Sequence, residues 1–216
     1  MHQAEAGRRF PPPDCERCPR LAAFRSTNRA AFPDWHNAPV PSFGDPDARL
    51  LIVGLAPGLR GANRTGRPFT GDHAGIILYA TLGRFGFARG QFEARPDDSL
   101  ELIDCRIANA VRCVPPANKP IGEEISACRL FLSDELRAGR LPEVVLSLGS
   151  IAHHSVLRAL GLRVASHPFA HGALHRPPAG PTLVASYHCS RYNLNTGRLT
   201  PAMFERVFEM VRVELD

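Results

Sequence analysis

The residues able to do chemistry in this 216-residue chain are six cysteines and the polar loops that follow its short apolar runs. Cys15 and Cys18 form a C-x2-C pair, Cys113 and Cys128 lie far downstream, and Cys105 and Cys189 fit no second close pair. A zinc ribbon needs two such pairs. Four thiolates can hold tetrahedral zinc or an iron–sulfur cluster, and the spacing alone does not choose between them. Cys105 lies inside an apolar run and reads as a small buried hydrophobe. Cys15 and Cys18 sit in a Pro- and Arg-rich stretch with no core of its own, so they read as half of a shared metal or cluster site with a structural role.

The loops are more specific. Gly54-Leu55-Ala56-Pro57-Gly58 follows an apolar run and leads to the segment 65–72, TGRPFTGD. This is neither G-x-G-x-x-G nor G-x-x-x-x-G-K-[ST], so the dinucleotide and Walker fingerprints both fail. Its glycines permit close backbone approach to a ligand, and Phe69 could stack on a flat ring. Asp72 stands just before an expected helix. It reads either as a helix cap, the commoner role, or as a carboxylate that steadies a cation or orients water. Asn109, at the end of a buried run, can offer a donor and an acceptor to a base edge; Asn118 reads as a turn residue. At least one of His153 and His154 reads as a packed or capping side chain. His188 opens a loop containing Arg191, Tyr192 and Arg198, suited to electrostatic and wedge contacts with nucleic acid.

These residues need a frame. Apolar runs at 50–54, 103–111, 143–148 and 182–187 suit strands of a parallel sheet covered on both faces. Between and after them, 74–85, 122–138, 150–160 and 201–215 read as helices, the last with Pro201 in its first turn. The alternation predicts a three-layer αβα sandwich around a central four-stranded parallel sheet, one domain over residues 1–216. Residues 1–48, helical only near 15–25, read as an N-terminal arm wrapped on the body. In such sheets the ligand crevice lies beyond the carboxyl ends of the strands, where all the loops above begin. Net charge is +5, and Lys119 is the only lysine among 26 cationic side chains. An arginine excess suits phosphate and base edges, and equally reflects a GC-rich genome. With no apolar run near the ~20 residues of a membrane span and no secretory pattern at the start, a cytosolic protein is expected.

The combination resembles one family. The Cys15–Cys18 pair, GLAPG at 54–58, TGRPFTGD at 65–72, NAVRC at 109–113 with Cys128, and H-x-S-R-x-N at 188–193 running into TGRLT at 196–200 are similar to the type-5, iron–sulfur group of the uracil-DNA glycosylase superfamily. The resemblance implies an αβα fold and a [4Fe-4S] cluster on Cys15, Cys18, Cys113 and Cys128. It implies hydrolysis of the N-glycosidic bond of uracil in DNA, leaving an abasic site. His188 would meet the charge on the departing base, Asp72 would orient water or steady the sugar cation, Asn109 would read the base edge and Phe69 would stack on it. Gly54, Leu55, Ala56, Pro57 and Gly58 would line the pocket, and Arg191, Tyr192 and Arg198 would contact DNA, one of the first two as the wedge. Ala56 stands where related groups carry Asn, Asp or Glu, which implies room for other deaminated bases such as hypoxanthine. Cys189 departs from many relatives and carries no assigned role. A monomer at the nucleoid, with DNA as its partner, completes the expectation. Two competing readings remain at this point: an iron–sulfur or zinc nucleic-acid-binding module without catalysis, and an electron-transfer enzyme, which lacks a flavin or nicotinamide fingerprint.

Overall fold

Four five-residue runs, buried along almost their whole length, build the centre of the molecule. The computed structural model describes residues 10–137 and 140–216. In chain order the elements are α1 (Pro19–Ala31), β1 (Phe43–Gly44), β2 (Leu50–Gly54), α2 (Ala62–Thr65), α3 (His73–Arg84), β3 (Ala88–Arg89), β4 (Glu101–Leu102), β5 (Cys105–Asn109), α4 (Gly122–Glu135), β6 (Val144–Leu148), α5 (Ser150–Leu160), β7 (Leu174–His175), β8 (Thr182–Ser186), α6 (Arg191–Asn195) and α7 (Pro201–Leu215).

The main sheet runs β1-β5-β2-β6-β8-β7. Its four central strands are parallel, as the apolar runs predict, but the sheet has six strands and not four. The two additions, β1 against β5 and β7 against β8, are antiparallel bridges of two residues. Two residues carry no alternation for a sequence pattern to show, and such short edges limit pairing with other chains. A separate β3–β4 bridge was equally invisible.

Alternation within β2 makes the three layers. Leu50 and Ile52 pack with Leu78, Leu82, Phe204 and Val207, the apolar faces of α3 and α7. Leu51 and Val53 pack with Leu132, Leu136, Val156 and Leu157 beneath α4 and α5. Full burial of each such side chain is worth roughly 1.5–3 kcal/mol. Among the described residues, no helix is long and apolar enough to cross a membrane.

The helix expected near 15–25 starts later, at Pro19, because proline lacks the N–H that an interior position would need and suits the first turn. The arm is then tied to the body by polar contacts. Asn37 donates to the Phe32 carbonyl at 2.6 Å and accepts from Asn63 Nδ2 at 2.9 Å, while Arg20 grips Glu124 with two bonds of 2.7 and 2.8 Å. Beneath it, buried Glu135 pairs with Arg106 and Arg112 at 2.8 and 2.9 Å and accepts from Ser42. Burial works against the Glu135 charge, but the two guanidiniums outweigh it and hold the carboxyl at about 2.

Candidate active site

The carboxyl ends of the central strands open on a cleft of about 730 Å³. Leu55 to Ala62 after β2 form one wall, with Phe69, Asp72, Asn109, Asn118, His188, Ser190 and Arg191 around the rest. The sequence-predicted Leu55, Ala56, Pro57, Gly58, Phe69, Asp72, Asn109, His188 and Arg191 therefore share one cavity. Gly54 lies behind it. A Cβ there would stand 2.6 Å from Asn109 Oδ1 and 2.7 Å from Phe69 Cζ, so its bare backbone is what lets those two side chains meet.

Phe69 is buried with φ +53°, a conformation that costs a bulky residue roughly 1–3 kcal/mol and persists only where its surroundings fix it. The fixing is visible. Arg67 makes two 2.7 Å bonds to Asp98, donates to Thr70 Oγ1 at 2.8 Å, and lies within 6 Å of the Phe43, Tyr79 and Phe92 ring centroids. Tyr79 donates to the Pro68 carbonyl at 2.6 Å. The hydrogen bonds from Arg67 hold the Asp98 carboxyl at about 2 against its desolvation. The Phe69 ring faces His188, centroids 5.9 Å apart and planes within 25°.

Asp72 carries both of its readings at once. Oδ1 caps α3, accepting from Gly75 N at 3.1 Å, while Oδ2 faces the wall loop, where a Cβ on Gly61 would approach it to 2.7 Å. The carboxylate thus has one oxygen engaged and one turned to the cleft. Asn109 is buried, and among the described residues no hydrogen bond engages its side-chain amide, which leaves that amide for a ligand. His188 is fixed through its main chain: Asn193 Nδ2 donates to its carbonyl at 2.8 Å, and Ser190 Oγ caps α6 by accepting from Asn193 N. Desolvation lowers the imidazole below its ordinary value, partly opposed by the Asp72 charge, so the ring is neutral at pH 7.

Arg191 is exposed at the cleft rim. Tyr192 does not line the cleft; it projects into solvent, 71% exposed, on the first turn of α6. Arg198 also lies outside it, 4.6 Å over the Tyr187 ring in an adjoining hollow. Three contributors were missed. Asn118 is more than a turn residue, since its Oδ1 accepts from Leu59 N at 3.3 Å and joins the wall loop to the 116–118 turn. Arg60 stands exposed on that wall. The Arg67–Asp98 clamp spans 31 positions that no local motif connects, whereas Ser190, three before Asn193, is a readable cap signal.

Cys15, Cys18, Cys113 and Cys128 line a second, shared pocket with Leu21, Val111 and Phe131. Burial raises Cys18 to about 11 and Cys113 to about 12, with nearby Cys128 adding to both. Arg25 Nη1 stands 3.8 Å from Cys113 Sγ and Arg112 N donates to Cys128 Sγ at 3.3 Å. Among the described residues, no group of three or more His, Cys, Asp or Glu is arranged to hold a metal ion. Cys105 and Cys189 are fully buried in the main core, apart from this pocket.

Comparison with known proteins bears on the whole arrangement. The family profile described as the uracil DNA glycosylase superfamily matches residues 41–212. The chain belongs to the uracil-DNA glycosylase superfamily. Its relatives include proteins named type-5 uracil-DNA glycosylase. The one from Thermus thermophilus is 49% identical over 201 residues, 89% of this chain and 90% of that protein. That from Pyrobaculum aerophilum is 42% identical over 191 residues, covering 87% and 83%, and that from Mycobacterium leprae is 42% identical over 202 residues, covering 90% and 88%. Of the four cysteines in the shared pocket, Cys113 and Cys128 fall inside the superfamily segment and Cys15 and Cys18 precede it.

Proposed function

We propose that this chain is a monofunctional glycosylase that hydrolyses the N-glycosidic bond of uracil in DNA and leaves an abasic site for base-excision repair. The observation that carries the reading is that Phe69, Asp72, Asn109 and His188, drawn from three different strand ends, meet in one cleft of a superfamily member.

A base inside a duplex is out of reach, so the nucleotide is flipped into the cleft. Phe69 stacks on the base and the free amide of Asn109 pairs with its edge. As the bond breaks, positive charge gathers on the sugar and negative charge on the departing base. Donors aimed at charge that exists only in the transition state contribute most to rate. A neutral His188 serves as a hydrogen-bond donor to the base oxygen, polarising it with no need to transfer a proton. The cleft-facing oxygen of Asp72 steadies the sugar cation or orients the attacking water. Ala56 adds no polar group to the wall, and its small side chain leaves room for larger deaminated bases such as hypoxanthine. Arg191 and Tyr192, on the exposed first turn of α6, contact the DNA, together with Arg198.

That Cys15, Cys18, Cys113 and Cys128 line one pocket supports the reading that they would hold a [4Fe-4S] cluster. The N–H groups of Arg25 and Arg112, 3.8 and 3.3 Å from the Cys113 and Cys128 sulfurs, are placed to stabilise thiolates there. A cluster there would supply a covalent staple between arm and body.

The test is incubation with a uracil-containing oligonucleotide followed by alkali. Scission at the uracil is expected. Retention of the strand with no scission would leave the binding-module reading in its place.

A further inference from the structure

Beside the base cleft lies a smaller hollow of about 230 Å³ that shares Leu55 and His188 with it. Its other walls include Ile151, Phe169, Tyr187 and Arg198, and among the described residues no carboxylate lines it. Tyr187 immediately precedes His188, so its ring is set one residue from the site. That ring is held in place: His171 packs on it with centroids 5.1 Å apart and planes within 20°, and His171 Nδ1 accepts from Tyr187 N at 3.2 Å. Phe169 stands at 6.1 Å. Arg198 is exposed, makes no ion pair among the described residues, and lies 4.6 Å over the same ring. The hollow therefore presents flat aromatic surface and a flat cation, in direct continuity with the base cleft.

We propose that this hollow receives the nucleotide next to the flipped one, its base stacking on the Arg198–Tyr187 pair. The inference rests on the reading of the base cleft given above and goes beyond it, because it assigns a second nucleotide position. A guanidinium and an ammonium both attract phosphate, but only the planar guanidinium also stacks on bases. A strand with one base in the cleft must place a neighbour within one backbone step, and the shared wall at Leu55 and His188 leads there. Among the described residues that wall this hollow, the only guanidinium or ammonium belongs to Arg198.

The experiment is a coupling cycle read by equilibrium binding. Single-stranded oligonucleotides carry a 2′-fluorinated deoxyuridine, which resists hydrolysis, with an abasic spacer replacing the 5′ neighbour, the 3′ neighbour or neither. Stacking of one base predicts that the wild-type protein loses about tenfold in affinity for the spacer on one side only. Arg198→Ala should lose a similar factor on the intact strand and become indifferent to that spacer. Arg198→Lys, which keeps the charge and loses the plane, should match Arg198→Ala in its indifference. Wild-type indifference to both spacers, or an unchanged spacer effect in Arg198→Ala, would overturn the proposal. So would an Arg198→Lys variant with the full wild-type spacer effect, since charge alone would then suffice. Uracil release from the unmodified oligonucleotide is measured separately, so loss of the subsite and loss of the activity reading give different results.

Discussion

Asp72 caps a helix with one oxygen and faces the cleft with the other, and a single substitution separates the two duties. Asparagine caps as well as aspartate, so Asp72→Asn should leave the melting temperature and DNA affinity nearly unchanged. Turnover should fall roughly 10²–10⁴-fold, the usual contribution of a positioned acid–base group. Steady-state turnover alongside binding checks this, and undiminished turnover would remove Asp72 from the mechanism. In its proposed role as donor to the departing base, His188 sets the acid side of the pH profile. Its burial lowers the imidazole below the ordinary 6.5, and the proposed role uses the neutral ring. As pH falls, kcat/KM should therefore hold through 6.5 and decline only at lower values; a His188-dependent decline centred above 6.5 would contradict the assignment. At this scale Asp72, Asn109, Phe69 and His188 were legible because each sits in an unusual motif at a strand end. The contact of Cys189, whose buried thiol donates to the Ala74 carbonyl at 3.6 Å beside the α3 cap, was not legible. Nothing in its neighbours names a partner 115 positions away.

At the scale of elements, the four parallel strands and helices α3, α4, α5 and α7 could be read from apolar runs and caps. The short helices α2 and α6 span four and five residues, too few for a 3.6-residue period to declare itself. Helix α3 offers the sharpest element-level test, since it contains two glycines with opposite reasons for being there. A Cβ on Gly75 would collide with the Phe69 carbonyl, so Gly75 permits the first turn to lie against the strained segment. Gly83 meets nothing within 4 Å. Gly83→Ala should stabilise the protein by about 0.5–1 kcal/mol, the ordinary gain for alanine in a helix interior. Gly75→Ala should destabilise it and displace Phe69. Denaturant midpoints of the two variants decide the point, and shifts of the same sign would refute it.

At the scale of the molecule, two inventories govern stability. His153, His154, His171 and His188 are all lowered by burial below 6.5. Between those lowered values and 6.5 the unfolded chain binds more protons than the folded one, so stability must fall as pH drops through that window. Asp98 and Glu135, held at about 2, favour the fold above the unfolded carboxylate range near 4, and that contribution is lost on acidification from there toward 2. Melting temperatures should accordingly decline in two stages, first below pH 6.5 and again below about 4; a flat profile from 7.5 to 5.5 would contradict the first. The cysteine pocket adds a second dependence. If the pocket holds the proposed cluster, Cys113→Ala should abolish bound iron and lower the melting temperature, and an unaltered iron content would exclude Cys113 as a ligand. Spacing alone pairs Cys15 with Cys18; the family resemblance adds Cys113 and Cys128, and the folded chain lines one pocket with all four.

The exposed Lys119 follows Asn118, whose side chain reaches the cleft wall through Leu59. Since Lys119 is the only lysine in the sequence, an amine-directed dye would attach at one side chain, besides the amino terminus. The unaltered protein thus carries its own labelling handle one residue from the cavity lining, where fluorescence could follow a strand arriving and leaving in real time.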